Sequence, residues 1–338
     1  MKSTHFTLVA GLFFLFPVAH GAQTFQRYAY MLEKDSKKQI FLTDTVTAQP
    51  HAITHPDFWS LYPDVSADGK QVAYASGKDQ NNLSILIQNL KSARIMAVSQ
   101  NKGLNLHPRF SGNQSWLAYS GPSQKSALQQ IHLVNLKKNN QVTEIQSEHA
   151  CYFPAPSSDG EFIVFQENVS ATSKRIVLHR MSDQSKKIVS HQHDVSMSPG
   201  LSPDDSKVAY TSKVNGNWDV YVTDLITGMT IKVTDSMADD FAPTFKNENT
   251  LVFASNRQGH FELYEVFLDE FIQKKFEAKL FVAGDGDHYS PSFSGEARYE
   301  ISRFFPLPSP ARSSFGAVHM ENSLYIAGGH KGAEHTYP

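Results

Sequence analysis

One motif recurs six times along this chain at nearly constant spacing, and it limits the possible folds more than any other feature. Pro63, Pro108, Pro154, Pro199, Pro243 and Pro291 mark the copies, at separations of 45, 46, 45, 44 and 48 residues. The fullest copies run Tyr62-Pro-Asp-Val-Ser-Ala-Asp-Gly-Lys-Gln-Val-Ala-Tyr-Ala-Ser76 and Ser198-Pro-Gly-Leu-Ser-Pro-Asp, then Val208-Ala-Tyr-Thr-Ser212. A second landmark keeps the same register. Asp44, Asn89, Asn135, Arg180 and Asp224 each close an apolar run and each lie 19 residues before the next marker proline. Fixed periods of this length are the mark of repeat architectures, in which one supersecondary unit buries its apolar faces only against its neighbours.

Each unit holds four short β-prone runs separated by turn residues, which describes a propeller blade rather than a βαβ unit. In the fourth copy these are Pro199 to Ser202, Val208 to Ser212, Asp219 to Thr223 and Thr230 to Thr234. Asp68, Asp159 and Asp204 fall where the first run must reverse. A carboxylate there closes a turn by hydrogen-bonding local N–H groups, and Gly supplies positive φ. Tyr74, Tyr119, Phe165, Tyr210 and Phe253 recur at one phase, as packing between neighbouring blades requires. The chain enters at a second strand, 27–31, and delivers its sixth first strand only at 291–294. Its two ends are therefore expected to share one blade. The fold expected is all-β, a six-bladed β-propeller of four-stranded blades closed by N- and C-terminal strands. The alternative is seven blades using the C-terminal tail.

Residues 1–21 read as a secretory signal peptide. Lys2 precedes an apolar run from Phe6 to Val18, and Ala19 and Gly21 stand three and one before the cut. That run is shorter than a bilayer span and is broken by Pro17. The expected location is periplasmic or secreted, with no integral membrane segment in the mature chain. A formal charge of -2 over 338 residues disfavours nucleic acid as a partner, because phosphate neutralisation needs excess Lys and Arg. Cys151 is the only cysteine, which excludes an intramolecular disulfide.

Ser198 to Ser212 resembles the TolB-type β-propeller repeat, with its Ser-Pro-Asp turn followed by an apolar-Ala-aromatic-Thr-Ser strand. Asn217-Trp-Asp-Val-Tyr-Val-Thr-Asp224 and Phe253-Ala-Ser-Asn-Arg-Gln-Gly259 are similar to it too. The resemblance covers roughly residues 27–296. It implies the fold and a binding role rather than an activity. TolB itself carries an α/β domain ahead of its propeller, whereas here the strand-like Gln26 to Met31 follows the signal at once, so the Tol-Pal role does not carry over. Pro310 to Met320, then Ser323-Leu-Tyr-Ile-Ala-Gly-Gly329, resembles the opening half of a Kelch repeat. The expected organisation is a signal peptide at 1–21, the propeller at 22–297 and a partial Kelch-like tail at 298–338.

The chain has no Gly-x-Ser-x-Gly elbow, no Gly-rich phosphate loop and no His-Glu-x-x-His helix. No cofactor and no metal are implied; His191-x-His193 supplies two ligands without an identified third. In a propeller of this type the segment before each marker proline crosses to the next inner strand and reaches one rim of the channel. That places His149, His193, Asp194, Asp239, Asp240, Asp287 and His288 on the candidate binding face. Imidazole and carboxylate groups there can hold a polar partner or a cation. The reading is a non-catalytic exported propeller that binds an envelope or secreted protein, a peptide or a glycan. The alternative is a propeller lyase or hydrolase with a His/Asp rim site.

Overall fold

The computed structural model describes residues 27–44, 49–190, 195–214, 216–268, 276–294, 316–320 and 323–327. The expected signal peptide lies outside them. Among the described residues no helix is long and apolar enough to cross a membrane. The chain divides into two compact units, Met1–Ala297 and Arg298–Pro338.

In the first unit each copy is an antiparallel run of four strands that starts from the strand carrying its marker proline. In the first copy the order is Trp59–Val65, Gln71–Asp79, Asn82–Asn89 and Ile95–Ala97. The turn residues act as expected. The Ser66 hydroxyl donates to Asp68 at 2.7 Å, and the Asp68 carboxylate accepts the Lys70 N–H at 3.1 Å. Ser157 with Asp159 and Ser202 with Asp204 repeat the arrangement. In Asp204, burial pushes the pKa up, but hydrogen bonds from Ser202 and Ser206 outweigh it and hold the carboxyl below its usual range.

The recurring aromatics are buried between copies. Tyr119 packs on Ala73 and Ile85 of the preceding copy, and Phe253 packs on Ala209 and Val220. Tyr30 takes the same role in the N-terminal strand, against Val252 and Leu263. The chain ends meet, because Arg27–Lys34 pairs antiparallel with Asp287–Phe293, with Tyr28 opposite Phe293 and Glu33 opposite Asp287.

The expected ring of six separate blades, and its seven-bladed alternative, are both corrected by the hydrogen-bonded sheets. Among the described residues four discrete four-stranded blades are present, and the third and fourth copies share one eight-stranded sheet. The outer strand of the third copy, Lys186–Ile188, covers only Val177 to His179 of its neighbour. That leaves Lys174 free to bridge in parallel to Val195 of the next copy. A repeat period cannot reveal such a bridge, because it depends on how far one short edge strand extends. Among the described residues of the tail there is no seventh four-stranded blade: Gly316–Met320 and Ser323–Ala327 form a two-stranded sheet of their own.

Candidate binding site in the channel

The residue before each marker proline has an unusual backbone. Tyr62, His107, Phe153, Ser198, Ala242 and Ser290 all have φ between 49° and 55°. A following proline already disfavours helical conformations, and positive φ in an L-residue costs roughly 1–2 kcal/mol. Each of these residues sits at a β-bulge, for example between Leu61 and Asp64 and between Met197 and Gly200. A bulge re-aims the side chains that follow it. Neighbouring copies brace two of the six: Gln166 accepts the Ser198 N–H at 3.3 Å, and Thr211 accepts the Ala242 N–H at 3.2 Å.

All six residues line one cavity of about 410 Å³, including space open to solvent. Its wall is lopsided. On one side His107 lies 3.6 Å from Phe153 and 4.2 Å from Tyr62, measured between ring centroids. The other copies contribute the smaller Ser198, Pro199, Ala242, Pro243 and Ser290. Gly200 lies where two copies approach, and a Cβ there would sit 3.0 Å from the Pro243 carbonyl oxygen.

Arg109 also lines this cavity, with its side chain 27% exposed. Its guanidinium donates to Asp64 at 2.9 Å. Asp64 is buried and also accepts the Phe110 N–H at 2.7 Å and the Ser292 hydroxyl at 2.9 Å, so one carboxylate ties together the first, second and sixth copies. Burial raises the Asp64 pKa, with Arg109 and the hydrogen bonds opposing. Burial drives the His107 pKa well below the usual imidazole value, and Arg109 adds to the effect. The ring is therefore neutral at pH 7, and its Nδ1 lies 2.8 Å from the Ser120 hydroxyl.

The family model for the TolB β-propeller domain matches residues 21–173 and 139–297. The chain belongs to this family. Among solved structures it is similar to TolB from Acinetobacter baumannii, at 22% identity and a TM-score of 0.67, over 80% of this chain and 66% of that one. It is also similar to Kuenenia stuttgartiensis hydrazine synthase, at 12% identity and a TM-score of 0.65, over 81% of this chain and 47% of that one. An oligogalacturonate lyase in complex with manganese matches at 15% identity and a TM-score of 0.52, over 73% of this chain and 75% of that one. The chain thus spans less than two thirds of the length of the first two. At these identities the likeness concerns fold alone. No curated protein matches the chain.

In this TolB-type propeller the described residues among those singled out from sequence do not line the channel cavity. Asp240 is fully buried and pairs with Arg257 at 3.2 Å; burial raises its pKa, against the pull of Ser255 and Arg257. Asp287 accepts the Phe261 N–H at 2.8 Å, and the Asp239 N–H donates to the Asn256 side chain at 2.9 Å. His288 is buried against Tyr30, with its Nδ1 lacking a partner among the described residues and its pKa lowered chiefly by burial. The His149 carbonyl accepts a hydrogen bond from Gln130 at 3.1 Å. His193 and Asp194 lie outside the described residues. Among the described residues no group of three or more His, Cys, Asp or Glu could hold a metal ion. Sequence reasoning missed Tyr62, His107, Phe153 and Arg109. Their signal was present, since each stands directly beside a marker proline.

Proposed function

We propose that the chain is an exported, non-catalytic propeller that binds a protein or peptide partner through the channel-end face. The observation that carries this reading is the cavity ringed by six strained pre-proline residues, three of them aromatic on one side. Backbone strain of this kind persists only where surrounding structure enforces it, and it concentrates at ligand-binding sites. Concave surfaces built on rigid scaffolds are the usual place for recognition. The rim residues His149, Asp239 and Asp287 extend the same proposed face, and the apolar stretch at 6–18 supports export.

The test is crosslinked capture of envelope proteins by the exported chain, compared among wild type, a Tyr62→Ala/Phe153→Ala variant and an Asp239→Asn/Asp287→Asn variant. A defined partner should be lost with the first and weakened with the second. Equal capture by all three would overturn the assignment of the face. The mass of the protein recovered from the periplasm should correspond to loss of the first 21 residues; an uncut chain would refute the export reading.

A further inference from the structure

Resting on the channel-binding reading, we propose that the cavity takes a carboxylate group, held by the Arg109 guanidinium, with Tyr62, His107 and Phe153 covering the flat or apolar body that carries it. Arg109 is the one side chain among the cavity-lining residues that carries a fixed charge. A guanidinium has five N–H donors, and in the described residues Arg109 commits one of them, to Asp64. The remainder suit two parallel bonds to a planar carboxylate, the geometry Arg favours. Asp64 offsets part of this charge but takes up only one edge of the guanidinium, its own oxygens being shared with the Phe110 N–H and the Ser292 hydroxyl. It also anchors the guanidinium, which lowers the entropy lost on binding.

The same pairing limits the ligand. With its one cation already partnered by a carboxylate, the site offers a ligand carboxylate directed hydrogen bonds rather than net charge, and a phosphate dianion would call for further positive charge. The aromatic arc defines the rest of the ligand. Ring centroids 3.6 and 4.2 Å apart make a tilted, closely packed aromatic wall, and Ser198, Pro199, Ala242, Pro243 and Ser290 form a less bulky wall opposite. The carboxylate can come from an acidic residue of a peptide or from a free small acid.

Calorimetry with four probes tests this: the capped peptide Phe-Glu-Phe, its Phe-Gln-Phe counterpart, benzoate and benzamide. Charge-assisted hydrogen bonds predict that acids bind about tenfold or more tighter than their amides. Preference for the acidic peptide over benzoate identifies a peptide source, and the reverse identifies a free acid. Because Arg109→Gln alone would strand the buried Asp64, the informative variant is Asp64→Asn/Arg109→Gln, which removes both charges together. It should fold, as judged by a cooperative melt, and bind acids no better than amides. Equal binding of acids and amides by wild type, absence of binding by all four probes, or acid preference surviving in the double variant would each overturn the inference. If partner capture still depended on Tyr62 and Phe153 in any of those cases, the binder reading would stand and only the carboxylate assignment would fall.

Discussion

At residue scale the fold is held by a few buried polar groups whose ionisation is shifted by desolvation. His107, His132 and His288 all have pKa values lowered chiefly by burial. A base with a depressed folded-state pKa contributes stability that is complete above the unfolded value, near 6.5, and is lost as pH falls through the folded values. The melting temperature should therefore fall between pH 7 and pH 5, each histidine contributing up to about 1.4 kcal/mol per pH unit. His107→Gln should flatten that slope; an unchanged slope would show that its ring is not held neutral. Asp64 and Asp240, raised by burial, have the opposite sign, because acidification relieves the penalty of burying their charge. Removing the partner of a buried charge is costlier than losing the pair, so Arg257→Ala should destabilise by about 3–5 kcal/mol. Arg257→Ala/Asp240→Asn should recover part of that in denaturant melts. The pre-proline ring makes its own prediction. Ser290→Gly relieves a positive φ and should hold or raise stability, whereas Ala242→Val places a β-branched residue at φ 49° and should cost about 1–3 kcal/mol.

At the scale of elements, the sheets depend on aromatic packing between copies and on the pairing of the chain ends. Phe165 is fully buried against Ala118 and Ile131 of the preceding copy, so Phe165→Ala should cost about 3–5 kcal/mol in chemical denaturation. The end-to-end pairing runs on at Ser294, whose hydroxyl accepts the Arg27 N–H at 2.9 Å while its own N–H donates to the Arg27 carbonyl at 2.8 Å. Deleting residues 23–45 should expose the edges of the neighbouring strands and replace one cooperative transition with broad, early melting. An unaltered melt would mean that the ring does not depend on this pairing. Sequence periodicity located the strands within a few residues, because a blade's turns are set by local chemistry such as Ser202 with Asp204. The fusion of the third and fourth copies was invisible to it, since a single bridge between Lys174 and Val195 leaves no pattern in composition.

At the scale of the whole molecule, six separate stretches of chain converge on one cavity, and recognition belongs to that convergence rather than to any single motif. The repeat, its turns, its interblade aromatics and the meeting of its ends were legible from residue order alone. Each of those follows from local propensity and from period, and each recurs often enough to be read. The site was legible only in part. Counting loops toward a rim directed attention to Asp240 and His288, which the fold buries as internal struts. The residues that line the channel stand beside the marker prolines, where no repeat landmark distinguishes them. The sequence by itself determined the unit that repeats and the order of its strands. Tertiary structure alone decided which side chains face the central space, because a bulge and a positive φ at each marker proline turn them inward. Only assembly around the channel places Arg109 beside Asp64, 45 residues apart in the chain.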